Sequence, residues 1–526
     1  MDTRRGKSVA VFLLYLSVVL GVAAYFHLRS PNLGDQDALY HYRHAALYAS
    51  RGLLFTDFPW ATCSVLSRIR GDLWYGFHLL LIPFTWIPDA VLGIKLAGII
   101  LLAAMMLLYY AALARLRIAL AYLWPFVMLF SSPPGLMRLI VTRPHVLSTG
   151  LLALLLAFLV RGAAWEVALA AFAVAFFHLN LFWIVVLTAA TVLVVQWRVS
   201  GRWEWKKCLA ALGGVVAGWL LRPEALGTAR IAYVQLVELA QAKQAQVPLL
   251  YGGELSPADP AGLLTYFAPF LILWLGSITL LATATLKRRG DLAPEQRTLL
   301  WSALLLSIFF FELSVVGSLR ATDQWKAFSV VLVAATARAF LFRLESHRFP
   351  RGRRRTAALV GAGAAVLVLF WRGTGDEAQE WAYGTVDPNR YRGAATWLRK
   401  YSPPNSVVFN AGWGAFPDLF FWNQQNRYIN GMDPIFMYAF DRKLYWEAHH
   451  LAAGRATRVT CPLPRCQEAE VRDTYQVLTG DFKASYLFVE KPVTPLLYEY
   501  GRSDSRFRLL FEDERSAVFA LDPPAR

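Results

Sequence analysis

The residues best suited to chemistry are concentrated in one short segment, GDQDALYHYRHAALYASRG, which begins at Gly34 just after the first apolar run. Asp35 and Asp37 stand at the start of a predicted helix, and Asp37, His41 and His44 share one face of it because they are spaced i, i+4 and i+7. Such a face suits cation coordination, general-base catalysis or hydrogen bonding to sugar hydroxyl groups. The structural alternative is that one aspartate caps the helix and the histidines pack.

Long, nearly uncharged runs predict a membrane protein. The chain has 526 residues, of which 56% are hydrophobic, and such runs cover 9–26, 91–114, 299–316 and 357–370. They are long enough to cross the hydrocarbon core and are apolar on almost every face. The predicted fold class is an all-α polytopic membrane bundle of about 11–13 spans, followed by a small α/β domain outside the cytoplasm.

The charge distribution predicts the orientation in the membrane. The formal net charge is +17, but the basic residues lie in short segments between apolar runs, which is typical of cytoplasmic loops and not of a nucleic-acid-binding surface. The N-terminus is therefore expected in the cytoplasm, and a bacterial inner membrane is the expected location, with the C-terminal domain in the periplasm. The predicted inner basic segments are Arg4–Lys7, Arg115–Arg117, Arg198–Lys207, Lys287–Arg289 and Arg343–Arg355.

This orientation divides the chain into a transmembrane domain, 1–371, and a periplasmic α/β domain, 372–526. The predicted spans are 9–27, 91–114, 118–132, 144–160, 164–177, 179–196, 208–221, 263–286, 298–317, 326–342 and 357–371. The predicted outer loops are 28–72 and 222–262. The segment 73–88 contains Trp, Tyr, His and two prolines, so it is predicted as a helix in the outer interface; a further span is the alternative.

The C-terminal part of the chain alternates between helical and strand patterns. Strands are predicted at 406–410, 484–491 and 516–522, and helices at 394–402 and 473–480. Cys461 and Cys466 are close enough in sequence to close a small loop in an oxidising compartment.

The outer bends of this topology collect cations. They are Arg138, Arg143, His145, Arg222, Arg320 and Lys326, with Asp323 close to Arg320. A lipid-linked phosphate needs positive charge at membrane depth, and the arginine fork binds phosphate bidentately. Each of these residues, taken alone, equally fits an anchor whose charged end reaches the interface.

The first-loop segment resembles that of the C-type (GT-C) membrane glycosyltransferases. In the oligosaccharyltransferase catalytic subunit and its bacterial relatives, a D-x-x-Y-H-x-R-x-A pattern follows the first span, and here its positions are Asp37, Tyr40, His41, Arg43 and Ala45. The resemblance implies a sugar donor carried on a polyprenyl phosphate or diphosphate. It also implies a first-loop aspartate that serves as a base or as a ligand for Mg²⁺ or Mn²⁺, and it implies no organic cofactor. By the same resemblance, His41 and Arg43 are expected to bind the substrate.

Part of the family pattern is missing. The stretch 412–434 is similar to the W-W-D-Y-G segment that reads the acceptor only at Trp413 and loosely around it, which places Trp413 and Asp433 on the acceptor side. No second acidic pair occurs in 131–145, and no external T-x-x-E loop is visible. Transfer of glycans to asparagine and a tightly bound divalent ion are therefore not expected.

Two functions remain open. One is an inverting glycosyltransferase in which Asp35 or Asp37 activates a hydroxyl group of a glycan, lipid or protein acceptor and the outer arginines hold the donor phosphate. The other is a non-catalytic membrane partner or lipid-carrier translocator in glycoconjugate assembly. They differ in whether the two carboxylates lie within about 10 Å of the outer-bend guanidinium groups.

Overall fold

The computed structural model describes residues 2–286, 292–341, 386–455 and 457–521, with two further single positions, 361 and 368. The predicted span 357–371 and the basic segments Lys287–Arg289 and Arg343–Arg355 lie outside this part of the chain, apart from those two positions.

A bundle of helices makes up the first two thirds of the chain. Its helices are Asp2–Leu28, Asp37–Arg51, Tyr75–Leu81, Ala90–Arg115, Trp124–Phe130, Pro133–Leu139, Pro144–Arg161, Ala164–Phe177, Phe182–Ser200, Trp205–Leu220, Ala225–Tyr233, Leu239–Gln244, Pro260–Leu286, Pro294–Val316 and Thr322–Thr336. Two π-helical segments, Val234–Glu238 and Ala337–Leu341, continue the helices that precede them. The buried residues of most of these helices form one continuous apolar core, whereas those of Ala225–Tyr233 and Leu239–Gln244 pack in a second core together with the α/β unit.

Six helices of the described residues are long and apolar enough to cross a membrane, and a seventh span is formed if the bent pair Trp205–Leu220 and Ala225–Gln244 counts as one. The chain is therefore a multi-pass membrane protein, as predicted, although the count is lower than expected. The predicted span 118–132 is not one helix, because residues 119–123 form turns and the helix that follows, Trp124–Phe130, has only seven residues. Ala164–Phe177 has only 14 residues, fewer than the roughly 20 that a span needs.

The segment 73–88 forms two short pieces. A seven-residue helix, Tyr75–Leu81, passes into a five-residue 3-10 helix, Ile82–Trp86. Together they are too short to cross a bilayer, so the alternative of a further span is excluded, whereas a position in the membrane interface stays a prediction.

The C-terminal region is an α/β unit. Its strands are β1 Val407–Asn410, β2 Arg427–Tyr428, β3 Val459–Thr460, β4 Arg472–Asp473, β5 Tyr486–Glu490, β6 Phe507–Glu512 and β7 Ser516–Leu521. The five-stranded sheet has the order β2-β1-β5-β7-β6, and β3 pairs with β4 in a separate ribbon. Strands β1, β2 and β5 are parallel, while β7 runs antiparallel to β5 and β6.

The helices of this unit are Arg392–Tyr401, Phe416–Trp422, Pro434–Phe440, Arg442–Ala452, Thr474–Gln476 and Pro495–Ser503. The three predicted strands are confirmed as β1, β5 and β7, and so is the predicted helix 394–402. Strands β2, β3, β4 and β6 were not predicted: the first three have two residues each, too few for an alternating pattern, and β6 has an irregular register between Leu509 and Phe511. Cys461 and Cys466 form a disulfide.

Hydrogen bonds between backbones hold the first loop against the α/β unit. The Thr62 amide donates to the Tyr428 carbonyl at 2.7 Å, and the Tyr428 amide donates to the Trp60 carbonyl at 2.8 Å, so the loop pairs with strand β2. A second bridge pairs Leu33 with Val386. The helix Asp37–Arg51 is thereby fixed between the membrane bundle and the α/β unit.

Candidate active site

Asp35 and Asp37 both lie beside the guanidinium group of Arg143. Nη2 of Arg143 donates to Oδ1 of Asp35 at 2.6 Å and lies 2.9 Å from Oδ2 of Asp37. Arg143 directly precedes the helix Pro144–Arg161, and the two aspartates flank Gln36, the residue before the helix Asp37–Arg51. Both carboxylates are therefore in direct contact with an outer-bend guanidinium group, although Asp35 and Arg143 are 108 residues apart in sequence. This contact is well within the distance of about 10 Å that a glycosyltransferase site requires.

Neither aspartate acts as a helix cap. The N-cap residue of the helix is Gln36, and no side chain accepts a hydrogen bond from its first turn. The structural alternative of a capping aspartate is therefore wrong. Asp37 is also unusual as an acid, because burial raises its pKa to about 7; Arg143 opposes this shift, and the nearby carboxylates of Asp35 and Glu254 add to it. A carboxylate with this pKa is well matched to general-base catalysis near neutral pH.

Three arginines converge on Glu254, which the sequence analysis did not select. Nη1 of Arg143 donates to Glu254 Oε1 at 3.1 Å, and Arg138 and Arg320 also form ion pairs with the same carboxylate. Arg138 donates in addition to Asp323 at 2.7 Å. These contacts hold the pKa of Glu254 well below its usual value in spite of its burial. The network is a cluster of guanidinium groups whose positive charge is matched by carboxylates.

A cavity of about 190 Å³ opens beside this cluster. It has a charged part, formed by Asp35, Arg138, Arg143, Glu254 and Arg320, and an apolar part. The apolar lining residues are Pro134, Met137, Val141, Phe267 and Leu319. A cavity with guanidinium groups next to apolar side chains matches a ligand that has a phosphate group and a hydrocarbon chain.

The other selected cations have different partners. Arg43 donates to the Phe421 carbonyl at 2.6 Å and lies over the Phe421 ring, so it joins the first-loop helix to the α/β unit. Arg222 donates to the backbone carbonyls of Asp72 and Leu73 at 2.8 and 3.2 Å. Arg43 and Arg222 therefore do not belong to the guanidinium cluster around Glu254.

His145 and Lys326 lie next to the cluster without joining its ion pairs. The His145 Nε2 atom is 2.7 Å from the Arg138 carbonyl and supports the short helix that carries Arg138. Lys326 is buried, with its ammonium group packed against Gly135 in the same short helix. Among the described residues this ammonium group has no hydrogen-bond partner. Lys326 therefore packs against the helix that carries Arg138 without taking part in the ion pairs of the cluster.

On the acceptor side, Trp413 and Asp433 have different surroundings. The Trp413 indole donates to the Leu250 carbonyl at 2.5 Å, and its ring lines a second cavity described below. Asp433 caps the helix Pro434–Phe440 by accepting from the Ile435 amide at 3.1 Å. Burial raises the pKa of Asp433 to about 6.

His41 and His44 belong to a buried network centred on Asp72. The His41 Nδ1 atom lies 2.8 Å from His78 Nε2, and the His78 Nδ1 atom lies 2.6 Å from the Asp72 carboxylate. The Tyr48 hydroxyl donates to the same carboxylate at 2.9 Å. Asp72 follows a glycine in a loop, where no periodic pattern in the sequence marks it as a site residue.

His44, Asp72 and His78 also form a cluster that could hold a metal ion, since their ligand atoms lie within 4.8 Å of one another. The rings of His44 and His78, however, stack in nearly parallel planes, 11° apart with centroids at 4.3 Å. A ligated metal lies in the plane of each imidazole, so one ion cannot serve both rings in this arrangement. Asp35 and Asp37 fit a divalent cation no better, because Arg143 already lies between them and repels it.

Asp72 is expected to contribute strongly to stability. Its carboxylate accepts from Tyr48, from His78 and from the Trp74 amide at 2.8 Å, all in a buried setting. Replacing Asp72 with asparagine puts an NH₂ group among donors and should lower the free energy of unfolding by about 2–4 kcal/mol. The expected result is a lower melting temperature in detergent, with Asp57→Asn, at an exposed ion pair, as the control. An unchanged melting temperature for Asp72→Asn would contradict this role.

Comparison with known proteins gives structural matches only. The sequence matches no protein-family model and no curated protein. The structure of ArnT from Cupriavidus metallidurans in the apo state is similar, with a TM-score of 0.54, 14% identity and 99% of each chain covered. ArnT bound to undecaprenyl phosphate gives a TM-score of 0.53 with 14% identity and 98% coverage of each chain. Mycobacterial arabinofuranosyltransferase AftD gives 0.55 with 16% identity, over 97% of this chain and 41% of that one.

The chain thus has the GT-C fold of integral-membrane glycosyltransferases, which confirms the predicted resemblance and fold class. The similarity extends over nearly the whole length of ArnT, so it includes the α/β unit as well as the helical bundle. At 14–16% identity it defines the fold, and the activity must be argued from the site itself.

Proposed function

We propose that this protein is an inverting glycosyltransferase that moves a sugar from a polyprenyl-phosphate or polyprenyl-diphosphate carrier to an acceptor hydroxyl group. The observation that carries the proposal is the contact of Asp35 and Asp37 with Arg143 at the edge of a cavity that is part cationic and part apolar. A base and a phosphate-binding group must lie within about 10 Å of each other for one sugar to be held between them, and these groups meet that condition.

In the proposed reaction, the Asp37 carboxylate takes the proton of the acceptor hydroxyl. The acceptor oxygen forms a bond to the anomeric carbon from the side opposite the phosphate. The bond between the anomeric carbon and the phosphate oxygen breaks, and its electron pair leaves with the carrier, which is released as polyprenyl phosphate or polyprenyl diphosphate according to the donor. Arg143, Arg138 and Arg320 stabilise the negative charge that develops on the leaving oxygen.

The lipid carrier is the part of this proposal with the most support. The cationic wall of the cavity suits a phosphate group, and its apolar wall suits an isoprenoid chain. ArnT, which has the same fold, was solved with undecaprenyl phosphate bound. We further propose that the cavity opens to the outer face of a bacterial inner membrane, with the N-terminus in the cytoplasm and 372–526 forming the periplasmic domain.

The proposal is tested with the purified protein in nanodiscs and undecaprenyl-phosphate-linked sugars as donors. Turnover should appear as release of undecaprenyl phosphate and should be lost when Asp35 and Asp37 are each replaced by asparagine. Unchanged turnover in both variants would refute the proposed chemistry. Movement of the lipid across the bilayer with no release of sugar would favour the alternative, a translocator.

Glu254 forms ion pairs with the three guanidinium groups that the proposed donor phosphate would bind. It lies in the short 3-10 helix Gly253–Leu255, within the loop 222–262, so it could leave the cluster when this part of the loop moves. We therefore expect Glu254→Gln to bind undecaprenyl phosphate about tenfold more tightly, because the phosphate no longer competes with a carboxylate.

The measurement is the shift in melting temperature on addition of undecaprenyl phosphate. Without the lipid, Glu254→Gln should be less stable than the wild type, because three arginines lose a shared counter-charge. The matched control is Glu295→Gln, which removes the partner of Arg161 at a different ion pair. A smaller lipid-induced shift in Glu254→Gln than in the wild type would contradict the competition.

A further inference from the structure

A second cavity lies next to the segment that carries the two aspartates. It has a volume of about 310 Å³, within the usual range for small-molecule sites. Asp35 lines the cationic cavity described above, whereas the next residue, Gln36, lines this second one. The two cavities are therefore lined by neighbouring residues of the segment 35–37. The other residues that line the second cavity come mainly from the α/β unit, and they include Trp413, Asn430, Tyr445, His449 and Glu490.

Two of the residues that line this cavity each have a polar atom without a partner among the described residues. Nε2 of His449 and Oδ1 of Asn430 are buried and make no hydrogen bond with any of the described residues. The two residues are only 3% and 5% exposed. A buried polar atom without a partner costs free energy that a ligand can recover, so these two atoms indicate a ligand that donates hydrogen bonds.

The hydrogen-bond partner of His449 indicates which of its two ring nitrogens carries the proton. The Tyr445 hydroxyl donates to the Pro248 carbonyl at 3.2 Å, so its oxygen is available to accept from His449 Nδ1, also at 3.2 Å. Burial lowers the pKa of His449 to about 4, so the ring is neutral near pH 7. With the proton on Nδ1, the unpartnered Nε2 atom is a hydrogen-bond acceptor.

The charges of this cavity exclude a phosphate-bearing ligand. Arg390 is the one arginine among the lining residues, and it is paired with Asp418 at 2.5 Å and donates to Gln36 at 2.7 Å. Glu490 adds a carboxylate to the wall, and its pKa is raised by burial. The cationic cavity has three guanidinium groups, whereas this one offers acceptors. Hydroxyl groups can donate hydrogen bonds to these acceptors, whereas an anion has no proton to donate and is repelled by a carboxylate.

We propose that this second cavity binds the acceptor as an uncharged saccharide, with hydroxyl groups donating to His449 Nε2 and Asn430 Oδ1 and a sugar face against Trp413. One hydroxyl group of the saccharide then faces the 35–37 segment, where the proposed transfer takes place. This inference rests on the proposed function, because it names the chemical class of the acceptor. It adds His449, Asn430 and Glu490 to the residues that determine specificity.

The test uses saturation-transfer NMR on the protein in nanodiscs, with uncharged methyl glycosides and disaccharides as probes and the matching sugar phosphates as competitors. Uncharged probes should bind to the wild type, and His449→Phe, which keeps the ring and loses the acceptor atom, should weaken binding roughly fivefold or more. His449→Gln restores an acceptor and should recover most of it. His450→Phe is the matched control, since His450 binds the Leu463 carbonyl and does not line the cavity.

Several results would overturn the inference: no binding of any uncharged probe, stronger binding of the sugar phosphates, or equal binding by His449→Phe and the wild type. Melting temperatures identify a variant that fails to fold, and Asn430→Leu then gives a second, independent test. Donor turnover separates this inference from the proposed function. A wild type that releases sugar from the donor to water but binds no saccharide would refute the acceptor site alone.

Discussion

Replacing Asp37 with asparagine is expected to lower the rate of sugar transfer by roughly 10²–10⁴-fold, the usual contribution of a general base. The asparagine keeps the size of the side chain and loses its ability to accept a proton. Binding of undecaprenyl phosphate should be nearly unchanged, because Arg138, Arg143 and Arg320 remain in place. Asp441→Asn, at the cap of the helix Arg442–Ala452, is the matched control.

The pH dependence of the transfer rate in the wild type is a second test of Asp37 as the general base. Asp37 must be ionised to act as a base, and burial raises its pKa to about 7. Transfer should therefore fall about tenfold for each pH unit below 7 and level off above it. In Asp37→Asn this inflection should be absent. A variant that keeps both the rate and the inflection would show that another group is the base.

Replacing Arg143 with lysine is expected to lower transfer by roughly 10²–10³-fold even though the charge is kept. Arg143 contacts three carboxylates through a planar fork, and a lysine ammonium group cannot reproduce these directions. Removing the fork should affect both donor binding and the position of Asp37, so the dissociation constant for undecaprenyl phosphate should rise as well.

Arg161→Lys is the control for this substitution, since Arg161 pairs with Glu295 outside the cationic cavity. It should lower the melting temperature slightly and leave transfer unchanged. Equal activity of Arg143→Lys and the wild type would mean that bidentate binding at this position is not needed, and Arg138 and Arg320 would have to hold the phosphate.

The sequence predicted well those features that depend on local composition. Long apolar runs identified the main spans, and alternating patterns identified β1, β5 and β7. The pair Asp35 and Asp37 was recognisable because two acids stand where a cap needs only one. Short helices were harder, because the apolar composition of 118–132 does not reveal that residues 119–123 form turns and only Trp124–Phe130 is helical.

The contacts within the site could not be predicted in the same way. Arg143 and Arg222 are both arginines at predicted outer bends, yet one binds the aspartates and the other binds backbone carbonyls. The difference arises from helix packing between residues more than 100 positions apart, which no local pattern records. Glu254 was missed for a related reason: an acid in a long polar loop is common, and only the fold brings three arginines to it.

The position of the donor phosphate is the most direct test of this account. A cryo-EM structure of the protein in nanodiscs with undecaprenyl phosphate should show phosphate oxygens about 3 Å from guanidinium nitrogens of Arg143 and at least one of Arg138 and Arg320. Glu254 should have left these groups, and the Asp37 carboxylate should lie across the sugar position from the phosphate. A phosphate bound elsewhere, with Glu254 still paired to all three arginines, would contradict the account.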